Sequence, residues 1–141
     1  MIEKIHKDLK DKLKKYNQEL SDMKAQEILR WGHEKFGNQF AITTSFGIQS
    51  SVLLNILSQS GLQKKIKIFW IDTGYLPQET YHYAQKLIHD LSLEVEVLQS
   101  ELSPARMEAL YGKLWETNKA SDLDKYHDCL LYTSPSPRDW L

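Results

Sequence analysis

The sequence predicts an α/β domain in which a parallel β-sheet carries helices on both faces. Three short runs rich in β-branched and aromatic residues, 39–45, 66–72 and 93–99, have the composition of strands. Two segments with helical apolar spacing, 50–61 and 77–92, separate these runs. Because crossovers between parallel strands are right-handed, this βαβαβ order predicts a crevice formed by the loops at the carboxyl ends of the strands.

Residues 1–37 predict two helices that precede the sheet. In the second helix we expect Ser21 at the N-cap, Gly37 in the left-handed position after the end, and Trp31 on the core face or at an interface. Packing is the expected role of both helices. The first helix is predicted from apolar residues that recur every three or four positions among charged ones: Ile2, Ile5, Leu9, Leu13 and Tyr16.

Glycine, proline and strand alternation set the predicted boundaries inside the sheet region. Gly61 should end the first of its helices, and Pro77 suits the first position of the next. The third strand alternates Leu93, Val95 and Val97 with glutamates. This alternation predicts one solvent-facing side and a position toward the edge of the sheet.

Composition limits the classes of partner that this chain would bind. A length of 141 residues corresponds to one domain, and the net charge of -1 creates no field that would attract nucleic acid or an anionic membrane. The sequence has no long apolar run, and its lysine-rich start lacks the features of a secretory signal, so we expect a cytoplasmic protein. The single cysteine, Cys129, and the scattered histidines predict no metal site.

The loop "SFGIQSS", residues 45–51, follows the first predicted strand and enters a helix. A loop in this position directs unpaired backbone N–H groups and the positive end of the helix dipole at whatever lies above it. Glycine allows close approach, and hydroxyl and amide side chains add donors without adding charge, which suits a phosphate or sulfate. Capping of the helix by Ser50 is the alternative interpretation.

The second polar loop, in "WIDTGYLPQETY", begins at Asp72 at the end of the second predicted strand. Asp72 could bind a ribose or base, or form an Asx turn with the following Thr73 and Gly74. Two such loops at neighbouring strand ends are more specific than either one alone.

At these residues the chain resembles the phosphoadenylyl-sulfate (PAPS) reductase family, within the adenine nucleotide alpha hydrolase-like superfamily and its pyrophosphate-loop, Rossmann-like fold. "TTSFGIQSSVLL", "WIDTGYLPQETY", "SPARMEALYGKLWE" and "KYHD" match the family in order, over about residues 20–128. In relatives that split ATP, an aspartate occupies the place of Gln49. An uncharged loop suits the phosphosulfate of an activated sulfate better than metal-assisted cleavage of a triphosphate.

The resemblance implies which residues bind the substrate. It places Ser45, Phe46, Gly47, Gln49, Ser50 and Ser51 at the phosphosulfate, and Asp72, Thr73 and Gly74 beside the adenosine. The segment "YGKLWE" resembles the version of this family that uses the 3′-phosphorylated substrate. The alternative interpretation is that Leu114 and Trp115 are ordinary packing residues and that Lys113 is a solvated charge.

The family also implies chemistry that this chain does not contain. A cysteine in a Glu-Cys-Gly-x-His context attacks the sulfur and leaves an S-sulfocysteine, which thioredoxin or glutaredoxin then reduces. No such motif is present, and "CLLYTSPSPRD" resembles the translation of a transposase-type sequencing adapter. We therefore expect a nucleotide-binding part at 38–128, a non-native tail at 129–141, and a sheet that is incomplete at the C-terminus. The nucleophile is expected beyond the truncation.

For the full-length protein, the resemblance implies a homodimer without a cofactor. An iron-sulfur cluster would be expected only in an adenylyl-sulfate reductase, which is one alternative. The small subunit of an ATP-splitting sulfate adenylyltransferase and a non-catalytic nucleotide-binding module are the others.

Overall fold

The structure of the chain is a computed structural model that describes residues 2–131, with side chains from 7 to 128. The chain divides between Phe40 and Ala41 into two compact units. Among the described residues, no helix is both long and apolar enough to cross a bilayer.

The first unit contains helices α1, Ile2–Leu20, and α2, Ala25–Phe36, followed by a 3₁₀ turn at Gly37–Gln39. The indole N–H of Trp31 donates to Glu19 at 2.9 Å, and its ring meets Tyr16 edge-on. Trp31 therefore links α2 to α1, whereas Leu9 and Leu13 of the predicted apolar stripe are exposed.

The predicted N-cap at Ser21 is wrong. The Ser21 hydroxyl donates to the carbonyl of Gln18 and so closes the end of α1. Helix α2 begins only at Ala25, because the Glu27 carboxylate accepts from the N–H of Lys24 at 2.7 Å and caps the helix there. Gly37 has φ of +53° and ψ of -128°, so it has the positive φ that glycine allows but not the left-handed helical conformation predicted there.

The second unit contains a parallel three-stranded sheet in the order β1, β2, β3. The sheet confirms the predicted α/β class, and β3 is an edge strand among the described residues, with Val97 46% exposed. In register, Thr44, Trp70 and Val97 lie side by side. The strands are β1, Ala41–Thr44, β2, Lys67–Asp72, and β3, Val95–Gln99.

Helices flank this sheet, and their ends follow from local sequence. The structure has α3, Ile48–Gln59, α4, Gln78–Asp90, α5, Pro104–Tyr111, a 3₁₀ turn, Leu114–Glu116, and α6, Ala120–Leu131. Gly61 has φ of +68° after α3, and its N–H donates to the carbonyl of Ser58, so the predicted stop is confirmed. Pro77 is the N-cap of α4, one residue before the predicted position.

The core of the second unit places both polar loops at one edge of the sheet. Leu54 and Leu57 of α3, Ile68 of β2, Ala84 of α4 and Met107 of α5 are buried. Burial of these side chains from different helices fixes α3 and α4 against the strands that precede them. The loops that begin those two helices are thereby held at the carboxyl ends of β1 and β2.

Candidate functional site

The first loop takes its shape from Phe46 rather than from its glycine. Phe46 has φ of +54°, in the left-handed region that a bulky residue rarely adopts, whereas Gly47 has an ordinary φ of -71°. The N–H of Phe46 donates to the Thr44 hydroxyl at 3.1 Å, and its ring, 3% exposed, packs edge-on against Trp70 with centroids 4.9 Å apart. The phenyl ring therefore anchors the loop in the protein interior.

The first turn of α3 has free backbone donors. Gly47 is the N-cap, and among the described residues no side chain caps this turn. The N–H groups of Ile48, Gln49 and Ser50 consequently have no acceptor within the helix. Ser50 lies inside the first turn, so the alternative in which it caps the helix is wrong.

Three serine hydroxyls surround this turn. The Oγ atoms of Ser45, which precedes the glycine, and Ser50, which follows it, lie 3.3 Å apart. The Ser51 hydroxyl donates to the carbonyl of Gly47 at 3.0 Å and accepts from Tyr83 on α4 at 3.0 Å. The turn thus presents free backbone donors and the hydroxyls of Ser45 and Ser50, with no carboxylate among them, as an anion would require, while the Ser51 proton is already donated to Gly47.

The second loop begins at a carboxylate that accepts hydrogen bonds on both of its oxygens. Asp72 is 8% exposed; its Oδ1 accepts from the Gly74 N–H at 2.8 Å and from the Tyr81 hydroxyl at 2.6 Å. Its Oδ2 accepts from Nε2 of Gln99 at 2.8 Å. Burial acts to raise the pKa of Asp72, but the hydrogen bonds from Tyr81, Gly74 and Gln99 together hold that pKa below its ordinary value. The Asx turn considered from the sequence is present.

The turn after Asp72 packs closely on α5. Gly74 has φ of +74°, and a Cβ atom placed there would lie 2.6 Å from Cγ of Pro104. Next along the chain, the Tyr75 hydroxyl donates to Glu108 of α5 at 2.9 Å. Burial, followed by this hydrogen bond, raises the pKa of Tyr75 to about 12, so the phenol stays protonated at neutral pH.

A cavity of about 220 Å³ lies at the carboxyl ends of β2 and β3. Asp72, Thr73 and Gly74 line it on one side, and the segment 99–104 lines it on the other. Backbone and side-chain polar groups from two strand ends therefore surround one small space. None of the first-loop residues lines this cavity.

The structure brings both predicted loops to the same edge of the sheet, because β1 and β2 are adjacent parallel strands. Trp70 of β2 packs against Phe46 of the first loop and against Tyr81 of α4. The residues predicted for the substrate site lie in the first loop and the first turn of α3, or at the end of β2 and in the turn after it: Ser45, Phe46, Gly47, Gln49, Ser50, Ser51, Asp72, Thr73 and Gly74.

Sequence reasoning did not identify four residues that hold the loops, namely Tyr81, Tyr83, Gln99 and Glu108. Gln99 could have been found, because it ends β3 as Asp72 ends β2, and the same rule about strand ends applies to both. The three others lie on helices, where nothing in their spacing distinguishes a hydroxyl or carboxyl bound to a loop from one in solvent.

The "YGKLWE" segment behaves largely as ordinary structure. Leu114 is buried, and Lys113 forms an exposed ion pair with Glu116 at 3.4 Å. The ring of Trp115 meets Tyr75 edge-on, with centroids 5.2 Å apart. Side-chain contacts of Cys129 and the tail 132–141 lie outside the described residues, and within the described part no cluster of histidine, cysteine and acidic residues could hold a metal.

Comparison with known proteins gives one consistent family. A family model described as the phosphoadenosine phosphosulfate reductase domain matches residues 39–132. The phosphoadenosine 5′-phosphosulfate reductase of a Synechococcus species is 48% identical over 114 residues, which are 81% of this chain and 48% of that protein. The enzyme of the same name from Synechocystis is 47% identical over 77% of this chain and 43% of its own length.

A solved structure agrees with these matches. The crystal structure of PAPS reductase from Candida auris, a phosphate complex, superposes with a TM-score of 0.68 at 26% identity, covering 81% of this chain and 54% of that one. The chain spans about half the length of the curated relatives that it matches. With a matching family model over most of the chain and relatives close to half identical, this chain belongs to the phosphoadenosine phosphosulfate reductase family.

Proposed function

We propose that this chain forms the nucleotide-binding part of a thiol-dependent reductase of assimilatory sulfate reduction. The reaction converts 3′-phosphoadenylyl sulfate to sulfite and adenosine 3′,5′-bisphosphate. Family membership supports the substrate, because the curated relatives share the name phosphoadenosine 5′-phosphosulfate reductase. The enzyme acts in the cytoplasm, and the full-length protein is a homodimer.

The observation that carries this proposal is the uncapped first turn of α3 at the carboxyl end of β1. Its free N–H groups and the positive end of the helix dipole favour an anion there by about 0.3–1 kcal/mol or more. The hydroxyls of Ser45 and Ser50 flank the turn 3.3 Å apart and supply further donors. The related Candida auris enzyme was crystallised as a phosphate complex, so an anion suits this fold.

The two loops take different parts of the substrate in this proposal. Ser45, Gly47, Gln49, Ser50 and Ser51 face the phosphosulfate, while Phe46, with its ring inside the protein, shapes their loop. The residues Asp72, Thr73 and Gly74 lie beside the adenosine. Because Gln49 is uncharged, the loop repels neither the sulfate nor the phosphate and holds no metal for splitting a triphosphate.

The reduction requires a thiol from the complete enzyme. A cysteine thiolate attacks the sulfur, the S–O bond to the phosphate breaks, and adenosine 3′,5′-bisphosphate departs with the bonding electron pair. Thioredoxin or glutaredoxin then attacks the S-sulfocysteine, releases sulfite and ends as a disulfide after its second thiol has reacted. The role of this chain is to bind the nucleotide and to stabilise the departing phosphate.

Calorimetric titration of the 141-residue chain with adenosine 3′,5′-bisphosphate tests the binding function. We expect binding that is tighter than that of adenosine 5′-monophosphate or of ATP with Mg²⁺. Equal affinity for the monophosphate would favour an adenylyl-sulfate reductase. Preference for ATP with Mg²⁺, or no binding at all, would contradict the proposal.

A matched pair of substitutions on α3 tests the position of the anion. Gln49→Asp adds a carboxylate to the first turn, and Gln59→Asp adds the same charge at the other end of the same helix. Repulsion at close range should weaken bisphosphate binding roughly tenfold in Gln49→Asp, while the helix dipole keeps that variant folded. Gln59→Asp should bind like the unmodified chain; an equal loss in both variants would place the anion elsewhere.

A further inference from the structure

We propose that Asp72 is a positioning residue: its buried carboxylate joins the end of β2 to α4 through Tyr81 and to β3 through Gln99, and thereby fixes the turn that carries Thr73 and Gly74. The proposal rests on the nucleotide site proposed above and assigns Tyr81 and Gln99 to it. Asp72 then acts on the nucleotide through the turn rather than by contact.

The hydrogen bonds of Asp72 leave it little capacity for a ligand. A carboxylate accepts about four hydrogen bonds, and this one already accepts three from its own chain, at 2.6 to 2.8 Å. The side chain is also 8% exposed. A group that is buried and bound on both oxygens is suited to hold structure, whereas the neighbouring Thr73 and Gly74 are more exposed and line the cavity.

The donors of these hydrogen bonds come from three different elements. Gly74 lies in the turn itself, Tyr81 lies in α4, and Gln99 ends β3 directly beside Asp72 in register. Loss of one donor therefore loosens the turn relative to one element, while the other two bonds and the apolar core keep the fold.

Tyr81 is itself held in place by packing. Its ring lies against Trp70 with centroids 5.7 Å apart, and Trp70 contacts Phe46 of the first loop. A phenylalanine at position 81 would keep this ring contact and lose only the hydroxyl. Tyr81→Phe is thus a substitution that removes one hydrogen bond to Asp72 without opening a cavity.

The test uses the full chain in four forms: unmodified, Tyr81→Phe, Asp72→Asn, and the combination of the two. Tyr16→Phe is the matched control, because it removes a phenol hydroxyl in the first unit. Two quantities are measured under conditions where denaturation shows every form to be folded. These are the dissociation constant of adenosine 3′,5′-bisphosphate by calorimetry and the hydrogen-exchange rate of the Gly74 amide by NMR.

We expect Tyr81→Phe to weaken bisphosphate binding about three- to tenfold and to speed exchange of the Gly74 amide by a similar factor. The affinity of the double variant should fall by less than the product of the two single factors, because both changes remove the same hydrogen bond between Asp72 and Tyr81. Tyr16→Phe should change neither quantity. Normal affinity and normal exchange in Tyr81→Phe, combined with a large loss in Asp72→Asn, would overturn the proposal in favour of direct contact.

The two readouts separate this proposal from the proposed function. If the unmodified chain binds no bisphosphate, the proposed function fails. Faster exchange of the Gly74 amide in Tyr81→Phe would still support the positioning role of Asp72. If the unmodified chain binds the bisphosphate and Tyr81→Phe changes neither the affinity nor the exchange rate, the positioning role of Asp72 is refuted and the proposed nucleotide site is retained.

Discussion

The hydroxyl of Tyr83 on α4 donates to the hydroxyl of Ser51 in the first turn of α3, which in turn donates to the carbonyl of Gly47. These two bonds connect a helix that follows the second loop to the N-cap of the helix that follows the first loop. The hydroxyl of Ser51 is shared by both bonds, whereas Tyr83 takes part in one.

This arrangement predicts unequal effects of two substitutions on the free energy of unfolding. Tyr83→Phe removes one partly exposed bond and should cost less than about 1 kcal/mol. Ser51→Ala removes both bonds and should cost more. The double variant should be no less stable than Ser51→Ala, because the partner of Tyr83 is then already missing. Urea denaturation measures all three, and a larger cost for Tyr83→Phe than for Ser51→Ala would contradict the prediction.

At position 46, glycine should give a more stable protein than alanine, which is the reverse of the usual order. Phe46→Ala removes a buried ring and should destabilise the protein by about 3–5 kcal/mol. Glycine is normally worse than alanine, but at φ of +54° it escapes a steric cost of about 1–2 kcal/mol. Phe46→Gly should therefore be the more stable of the two in urea denaturation. The opposite order would mean that the left-handed conformation is not kept.

Two glycines with similar positive φ angles, Gly61 and Gly74, should differ in their tolerance of a methyl group. Gly61 has open space around its Cβ position, so Gly61→Ala should cost only the conformational term of about 1–2 kcal/mol. Gly74→Ala should carry the same conformational cost. Its new Cβ would also lie 2.6 Å from Cγ of Pro104, and this clash should add about 1–3 kcal/mol to the loss of stability. Thermal or urea unfolding of the two variants makes the comparison. Equal costs would show that Pro104 moves away freely.

Acid should remove the contribution of the Asp72 carboxylate to stability. Its pKa is lowered in the folded protein, so the contribution is complete above the unfolded pKa of about 3.9 and declines as pH falls from there through the folded pKa. The difference in unfolding free energy between the unmodified chain and Asp72→Asn should therefore shrink on acidification. Urea titrations at a series of acidic pH values measure this difference, and a gap that stays constant or widens would refute the prediction.

Alkali should act on Tyr75 in the opposite sense. Its pKa is raised to about 12, so its contribution is complete below the unfolded value of 10.0 and is lost as pH rises through the folded pKa. An alkaline titration followed by the ultraviolet absorbance of tyrosinate is recorded for the unmodified chain and for Tyr75→Phe. The difference between the two curves is the ionisation of Tyr75, and it should appear at a pH near 12. Ionisation of that residue near its ordinary value would show that its bond to Glu108 is absent in solution.

The order of strands and helices could be predicted because it depends on local signals. Alternation and β-branched composition indicated the strands. Gly61 indicated the end of a helix, because glycine readily adopts the positive φ needed after a helix, and this preference depends on no distant contact. The start of α2 was missed, because Ser21 and Glu27 both carry side chains that can cap a helix. The carboxylate of Glu27 determines that start, four residues after Ser21.

The loops could be predicted as the candidate site, but their internal geometry could not. Gly47 was expected to allow close approach of a ligand, whereas the positive φ of this loop belongs to Phe46, whose ring is held by Trp70 and whose N–H is held by Thr44. The contact with Trp70 joins this loop to the neighbouring strand β2, and no local pattern encodes it. Tyr81, the partner of Asp72 on α4, was missed for the same reason, whereas Gln99 of β3 could have been found from its place at a strand end.

Trp70 gives the protein a natural fluorophore in contact with the first loop and with α4. Its indole is 3% exposed, whereas Trp31 and Trp115 are partly accessible to solvent. Its rings touch Phe46 of the first loop and Tyr81 of α4, so a rearrangement of either alters the surroundings of this chromophore. Emission at the short-wavelength end of the tryptophan range should therefore report, without any attached dye, a change in the position of Phe46 or Tyr81 when a ligand is added.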